Sequence, residues 1–284
     1  MSHVSILQVV IYEQEYHLSK ELTVMQIFVL LKMVPDVVEE LVIGKDGKSL
    51  DEELVRFKLN EPDEHALEEA VLLKEKYGGS ITVMALDAPD VDDALYLALA
   101  KGANQAFRVS GECKGWQTPV VANLFTSFLS SRCGPLTNET VVLTGSQAID
   151  DIEGELGACI SEMLKLPYIS VVTGLSVDGG AKSATVLKEF SGGLRGEFTV
   201  PLPAVIGIQS ASKPPRYVPV AKVNAAKKTA KIESVSLPAP NIKSALSLRK
   251  MFTPVATGKA EMLEGSPKDI SARLIEIITQ RGIL

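Results

Sequence analysis

From residue 25 onward the apolar positions come in short blocks, alternating between unbroken runs and helical stripes. Gln26–Lys32 (QIFVLLK) is a continuous run that ends ahead of Pro35, as expected of a strand buried on both faces of a parallel sheet. Leu41 to Val55 reads as a hairpin around Gly44-Lys45-Asp46-Gly47, whose Asp-Gly pair favours a tight turn. Asp63 is expected to cap a helix through Tyr77, with Ala66, Leu67, Ala70, Val71 and Leu73 on its inner stripe and Gly78-Gly79 as the stop. The alternation continues with a strand at 81–85, a helix at about 90–101, a short strand near 107–109 and a helix at about 119–130. A strand at 140–143, a helix from near Glu155 to about Leu164 and a strand at 169–172 complete it. Repeated strand–helix units predict the α/β class: a doubly wound, mostly parallel, Rossmann-like sheet with right-handed crossovers.

After Thr173 the grammar changes. Segments 175–177, 185–190 and 197–200, separated by Gly179-Gly180 and Gly192-Gly193, predict an antiparallel hairpin section. Leu202–Ile208 is again fully apolar and is expected to rejoin the sheet. From Gln209 to about Leu248 no periodicity emerges, and Pro214-Pro215, Pro238 and Pro240 punctuate the stretch. It reads as an arm on another subunit or as a linker, and Val218, Val220 and Val223 favour the arm. Ser266-Pro267-Lys268-Asp269 opens a final helix with Ile270, Leu274, Ile277 and Ile278 on one face. The expected organisation is an appendage at 1–24, a nucleotide-binding α/β domain at 25–208, and a partner-binding arm and helix at 209–284.

Composition narrows the function. With 284 residues, 46% of them hydrophobic, the chain can bury a substantial core. A net charge of −6 excludes a nucleic-acid footprint, which needs a basic face. The one basic cluster, Lys222 with Lys227, Lys228 and Lys231, suits an acidic protein partner or a phosphate chain equally. Three cysteines, Cys113, Cys133 and Cys159, show no C-x-x-C spacing; they argue against a disulfide framework or zinc site and fit a cytoplasmic location. No run approaches the roughly 18 apolar residues of a membrane span. Residues 1–24 lack a basic flank and carry Glu13, Glu15 and Glu21, so they read as an appendage or an upstream-start artefact, not a presequence.

The catalytic inventory is thin. His3 and His17 lie in the leader, and His65 reads as a surface residue in the first turn of a helix. Asp150 and Asp151, adjacent and so pointing in different directions, read as loop-solvating and helix-dipole charges in preference to a general acid/base pair, and Asp90, Asp92 and Asp93 read as helix-start charges. G-x-S-x-G, H-E-x-x-H, Walker A and G-x-G-x-x-G motifs are absent, so no catalytic residue or metal site is assigned. What the pattern does offer is the polar loop Thr144 to Gly154, between a buried strand and a helix. Such a loop serves a phosphate or nucleotide at the helix N-terminus, or is an ordinary connection. A binder or carrier is therefore favoured over a stand-alone catalyst.

Four segments then carry a family resemblance. They are Lys32-Met33-Val34-Pro35-Asp36; Asn60 to Ala70; Ala98-Leu99-Ala100-Lys101-Gly102-Ala103; and Gly145-Ser146-Gln147-Ala148-Ile149-Asp150-Asp151. With Gly192-Gly193-Leu194, Leu202-Pro203-Ala204-Val205, Pro215-Arg216-Tyr217 and Lys227-Lys228, their order and spacing resemble the beta (small) subunit of electron transfer flavoproteins over residues 25–284. The resemblance implies a heterodimer with a larger alpha subunit that holds the redox-active FAD. It also implies a flavin-dependent dehydrogenase as partner. This subunit would bind AMP, or a second FAD in electron-bifurcating members, where it takes a hydride from NADH within a larger complex. Ser247 to Pro254 looks more like that branch.

Carried over residue by residue, the family's nucleotide contacts fall at Leu30, at Asn60, Glu61, Pro62 and Asp63, and at Leu86. A further group comprises Asp150, Ile152, Glu153 and Gly154, followed by Glu155, Leu156, Gly157, Ala158 and Cys159. The dehydrogenase-docking segment falls at Val218, Pro219, Val220, Ala221 and Lys222, continuing through Val223, Asn224, Ala225 and Ala226. The chain departs from the family where Ser146 replaces Lys or Arg, Glu155 Gln, Asp87 Gly, Tyr96 Arg, Glu61 Pro and Ala225 Lys. Losing a cation and adding carboxylates removes charge-assisted bonds to a phosphate and adds repulsion. Two rival expectations stand beside the carrier: a stand-alone adenine-nucleotide-binding enzyme or sensor, and a paralogue that keeps the scaffold without nucleotide.

Overall fold

A computed structural model of the chain describes residues 25–51, 53–111, 117–178, 182–238, 242, 247–255, 258 and 260–283. The segment 1–24, Cys113 and the Gly179-Gly180 turn lie outside them. Two compact units emerge: the chain up to Val42 with Asp51–Ser247, and Ile43–Leu50 with the chain from Leu248.

The larger unit is built on β1 (Gln26–Leu31), whose apolar residues alternate between two cores. Ile27, Val29 and Leu31 join the cluster formed with Ala66, Leu67 and Ala70 of α1 (Glu61–Tyr77) and Leu95 and Ala98 of α2 (Val91–Lys101). Phe28 and Leu30 join the opposite cluster, with Val121, Phe125 and Phe128 of α3 (Thr118–Arg132) and Ile160 of α4 (Leu156–Leu164). Because successive side chains of a strand face opposite ways, an unbroken apolar run needs cover on both faces, and here it has it.

The remaining strands are β2 (Met33–Pro35), β3 (Phe57–Leu59), β4 (Ser80–Leu86), β5 (Gln105–Gly111), β6 (Thr140–Gly145) and β7 (Tyr168–Val177), then β8 (Ser183–Glu189), β9 (Arg195–Pro201), β10 (Ala204–Ile208) and β11 (Ile232–Leu237). Nine of the eleven strands among the described residues form one sheet in the order β11-β5-β4-β1-β6-β10-β7-β8-β9. It is parallel from β11 to β7, with β8 and β9 added antiparallel. The predicted mostly parallel sheet with an antiparallel section is thus the one found, and the apolar run 202–208 rejoins it through β10, Ala204–Ile208, between β6 and β7.

Three local expectations give way. The hairpin at 41–55 is a single bridge, Ile43 to Leu50, closed by Asp46 accepting from the Lys48 and Ser49 N–H groups; the paired strands nearby are β2 and β3. The stretch 209–248 contains α5 (Val220–Thr229) and β11, which pairs in parallel with β5 at the sheet edge. His65 is half-buried, and its Nδ1 accepts from the Ala211 N–H at 3.1 Å. Segment 211–216 is strapped to α1 in this way: Glu69 accepts from Ser212, and Glu68 from Arg216.

In the smaller unit the Gly47 carbonyl accepts from the Met251 N–H. The final helix, α6 (Pro267–Gln280), starts with a reciprocal capping box between Ser266 and Asp269.

Candidate functional site

In open α/β sheets, ligands sit beyond the carboxyl ends of the strands, where strand order reverses. Here β4 and β5 lie on one side of β1 while β6 and β10 lie on the other, so the reversal is at β1 and β6. A cleft with about 850 Å³ of empty volume, part of it open to solvent, lies at that point. Leu30, Leu31 and Lys32 reach it from the end of β1, Gly145 and Ser146 from β6, and Leu86 and Asp87 from β4. Val121 and Phe125 of α3 and Leu156 of α4 supply apolar wall.

Asp63 holds the two central strands together. It does not cap α1, which begins two residues before it. Its Oδ1 accepts from the Gly145 N–H at 2.8 Å and its Oδ2 from the Lys32 N–H at 2.9 Å. A Cβ on Gly145 would lie 2.4 Å from Asp63 Oδ1, so only glycine permits this approach. Burial pushes the Asp63 carboxyl up to about 7, against the downward pull of the Gly145 and Lys32 N–H groups, the Asn60 amide and the Lys32 charge.

Asn60, the residue preceding α1, is buried, yet its side chain caps no helix. Its Nδ2 donates to the Gln147 carbonyl at 3.0 Å, and its Oδ1 accepts from the Ile149 N–H at 3.4 Å. Asn60 thereby pins the loop after β6. The same loop is held by Lys32, whose Nζ lies 2.7 Å from Asp150 Oδ1 and 2.6 Å from Asp151 Oδ2. Burial works to lower the Lys32 pKa, but the two carboxylates more than offset it and hold the ammonium above its ordinary value. A third tie runs from the Thr118 hydroxyl to Glu153 Oε2 at 2.7 Å. Between these anchors Ile152 adopts φ 57°, a left-handed conformation that costs a β-branched residue about 1–2 kcal/mol. Ser146 is buried and donates to Gln209 Oε1 at 2.6 Å.

Of the residues expected to hold a nucleotide, Leu30, Asn60, Asp63, Leu86, Gly154, Glu155 and Leu156 converge on this cleft. Glu61 and Ile152 face solvent, and Pro62 lies against Gly145. Asp150 and Glu153 are engaged by Lys32 and Thr118. Gly157 backs onto Tyr168, where a Cβ would meet the ring at 2.7 Å. Cys159 packs with the α3 and α4 cluster beside the partly buried Ala158; its thiol is raised by burial and then by Glu155 and Glu153. Residues outside the nucleotide contacts that the resemblance implies also line the cleft, Lys32, Asp87, Thr118 and Phe125 among them. Lys32 was findable, since a cation directly after a parallel strand belongs at the crevice; Phe125 needed the packing of α3.

The expected docking segment is mainly helical. Val218 is buried, Pro219 precedes α5, and Val223 and Ala226 are half-buried. Val220, Ala221, Lys222, Asn224 and Ala225 face solvent. Lys227 ties α5 to α2 through Asp93 at 2.6 Å and lies over the Tyr96 ring. Among the described residues no group of three His, Cys, Asp or Glu is arranged to hold a metal, and no helix is long and apolar enough to cross a membrane.

An electron transfer flavoprotein domain model matches residues 48–240. The chain belongs to the electron transfer flavoprotein family. It is 32% identical to the electron transfer flavoprotein subunit beta of Methylophilus methylotrophus, over 90% of this chain and 98% of that protein. It is 27% identical to the caffeyl-CoA reductase-Etf complex subunit CarD of Acetobacterium woodii and 25% identical to the acryloyl-CoA reductase electron transfer subunit gamma of Anaerotignum propionicum. Each alignment covers 92% of this chain and all of the relative. Within this flavoprotein family, then, the chain aligns with beta subunits and with electron-transfer subunits of reductase complexes.

The cleft fits an adenine nucleotide unevenly. Leu30, Leu86, Val121, Phe125 and Leu156 suit a flat ring. For a phosphate there are backbone N–H groups at the start of α4 and a single cation, Lys32, against Asp63, Asp87, Asp151 and Glu155 among the described lining residues.

Proposed function

We propose that this chain is the beta subunit of a heterodimeric electron transfer flavoprotein, passing electrons between a flavin-dependent dehydrogenase and a downstream acceptor in the cytoplasm. Its cleft takes an adenylate, either AMP or the AMP portion of a second FAD. The observation that carries the reading is convergence: the segments that resemble the family, at Lys32, Asn60 to Asp63 and Gly145 to Asp151, meet around one crevice at the strand-order reversal. Leu30, Leu86 and Phe125 would receive the base. Asn60 and Asp63 would fix the loop and strand ends around it, and the first turn of α4 with Lys32 would face the phosphate. A flavin bound here would supply the redox chemistry, while the protein positions it and excludes water. The Val218–Ala226 segment is the proposed dehydrogenase-docking surface, and α6 with the chain from 209 is the proposed partner-binding region. The likeness to subunits of the caffeyl-CoA and acryloyl-CoA reductase complexes supports the bifurcating version, in which a hydride arrives from NADH.

Co-expression with the large subunit, followed by acid extraction of the purified complex, tests this directly. Two FAD per heterodimer are expected for bifurcation, and one FAD with one AMP for simple transfer. A single FAD without AMP would leave the cleft unassigned, and a monomer that turns over nucleotide alone would overturn the carrier reading.

A further inference from the structure

We propose that Lys32 sets the ligand class of the cleft: a phosphate-bearing ligand enters only by taking this ammonium from Asp150 and Asp151. The inference rests on the reading of the cleft as an adenylate pocket, and it adds a specificity residue outside the contacts carried over from the family.

Among the described lining residues Lys32 is the one positive charge, and it is already engaged by two carboxylates, at 2.7 and 2.6 Å. Each of the three side chains is only about 30% exposed, so the cluster is screened less than a surface pair. Two carboxylates on one ammonium leave an excess of negative charge, and Asp87 and Glu155 add to it. A phosphate dianion meets this field with no free cation to answer it. An uncharged nucleoside meets Leu30, Leu86 and Phe125 with no such penalty.

The exchange of partners is local. Asn60 holds Gln147 and Ile149 without help from Lys32, and Thr118 holds Glu153. Residues 150–152 can therefore release Lys32 while the loop stays anchored on both sides. Phosphate oxygens then take over the charge-assisted bonds that Asp150 and Asp151 make.

The test titrates adenosine and AMP separately, by calorimetry, into the complex with the large subunit after endogenous nucleotide is removed. In Asp150→Asn/Asp151→Asn, AMP affinity is expected to rise about tenfold or more while adenosine affinity stays level, because the isosteric amides free the lysine. In Lys32→Met, AMP affinity is expected to fall by a similar factor, again with adenosine level. If Lys32→Met does not assemble, the double variant decides alone. Equal shifts for the two ligands, or none, would overturn the role of Lys32 while leaving the pocket in place. Absence of binding by both ligands to the wild-type complex would overturn the pocket itself and this inference with it.

Discussion

Asp63 spends both carboxylate oxygens on backbone donors of different strands, which places a buried acid at the hinge of the crevice. Its folded-state pKa of about 7 lies above the ordinary 3.8, so between these values the folded chain binds a proton that the unfolded chain has lost. The resulting stabilisation is full below the unfolded value and disappears as pH rises through the folded one. Its size is about 4 kcal/mol between about pH 4 and pH 8. Asp63→Asn cannot titrate and keeps one acceptor of two, losing about 1 kcal/mol of hydrogen bonding at any pH. Urea titrations across that range should show the wild-type stability, taken relative to the variant, falling as pH rises. A pH-independent difference would mean that Asp63 stays in one ionisation state. In sequence Asp63 has only the character of a helix cap, because the N–H donors of Lys32 and Gly145, distant along the chain, reach its carboxylate only in the folded molecule.

At the scale of elements, legibility follows how locally each element satisfies itself. β1 and β10 are legible because an apolar run needs two covered faces whatever surrounds it, and α6 because Ser266 and Asp269 cap it within four residues. The stretch after Gln209 is not. Its first part, 211–216, is ordered by Glu68 and Glu69, which look like surface charges in sequence but lie almost fully buried on α1, receiving Arg216 and Ser212. Arg216 bonds Glu68 through Nε at 2.8 Å and through its own N–H at 3.0 Å, and it reaches exposed Glu75 at 2.6 Å. Arg216→Ala strands a buried carboxylate. The expected cost is about 2–3 kcal/mol, below the value for a fully buried pair because the guanidinium is partly solvated. Glu75→Gln removes only the exposed half, and about 0.5 kcal/mol is expected. Chemical denaturation of both variants checks the ratio, and faster amide exchange at Ala211 and Ser212 in Arg216→Ala would locate the loss. Equal effects would mean that the strap is held from the solvent side.

For the molecule as a whole, the sheet order explains why the cleft was partly visible in sequence: the four family-like segments include the strand ends that flank the reversal. It also explains what stayed hidden. Thr118, Val121 and Phe125 reach the cleft from a helix whose own pattern says only that one face is apolar. The edge was hidden too, because Ile232–Leu237 alternates with Glu and Ser and resembles a polar tail until it pairs with Ala106–Gly111. That pairing makes a length prediction. A chain ending at Ser247 keeps β11 and the larger unit, and should unfold cooperatively with its sheet content intact. A chain ending at Ala230 loses β11, which buries Val235 and partly buries Ile232 and Leu237, at a cost of about 3–5 kcal/mol. It also bares the β5 edge, whose unpaired N–H and C=O groups invite a second copy. Thermal melts should separate the two chains clearly, and gel filtration should show only the shorter one associating. A shorter chain that stays monomeric and equally stable would mean that β11 merely rests on the sheet and does not complete it.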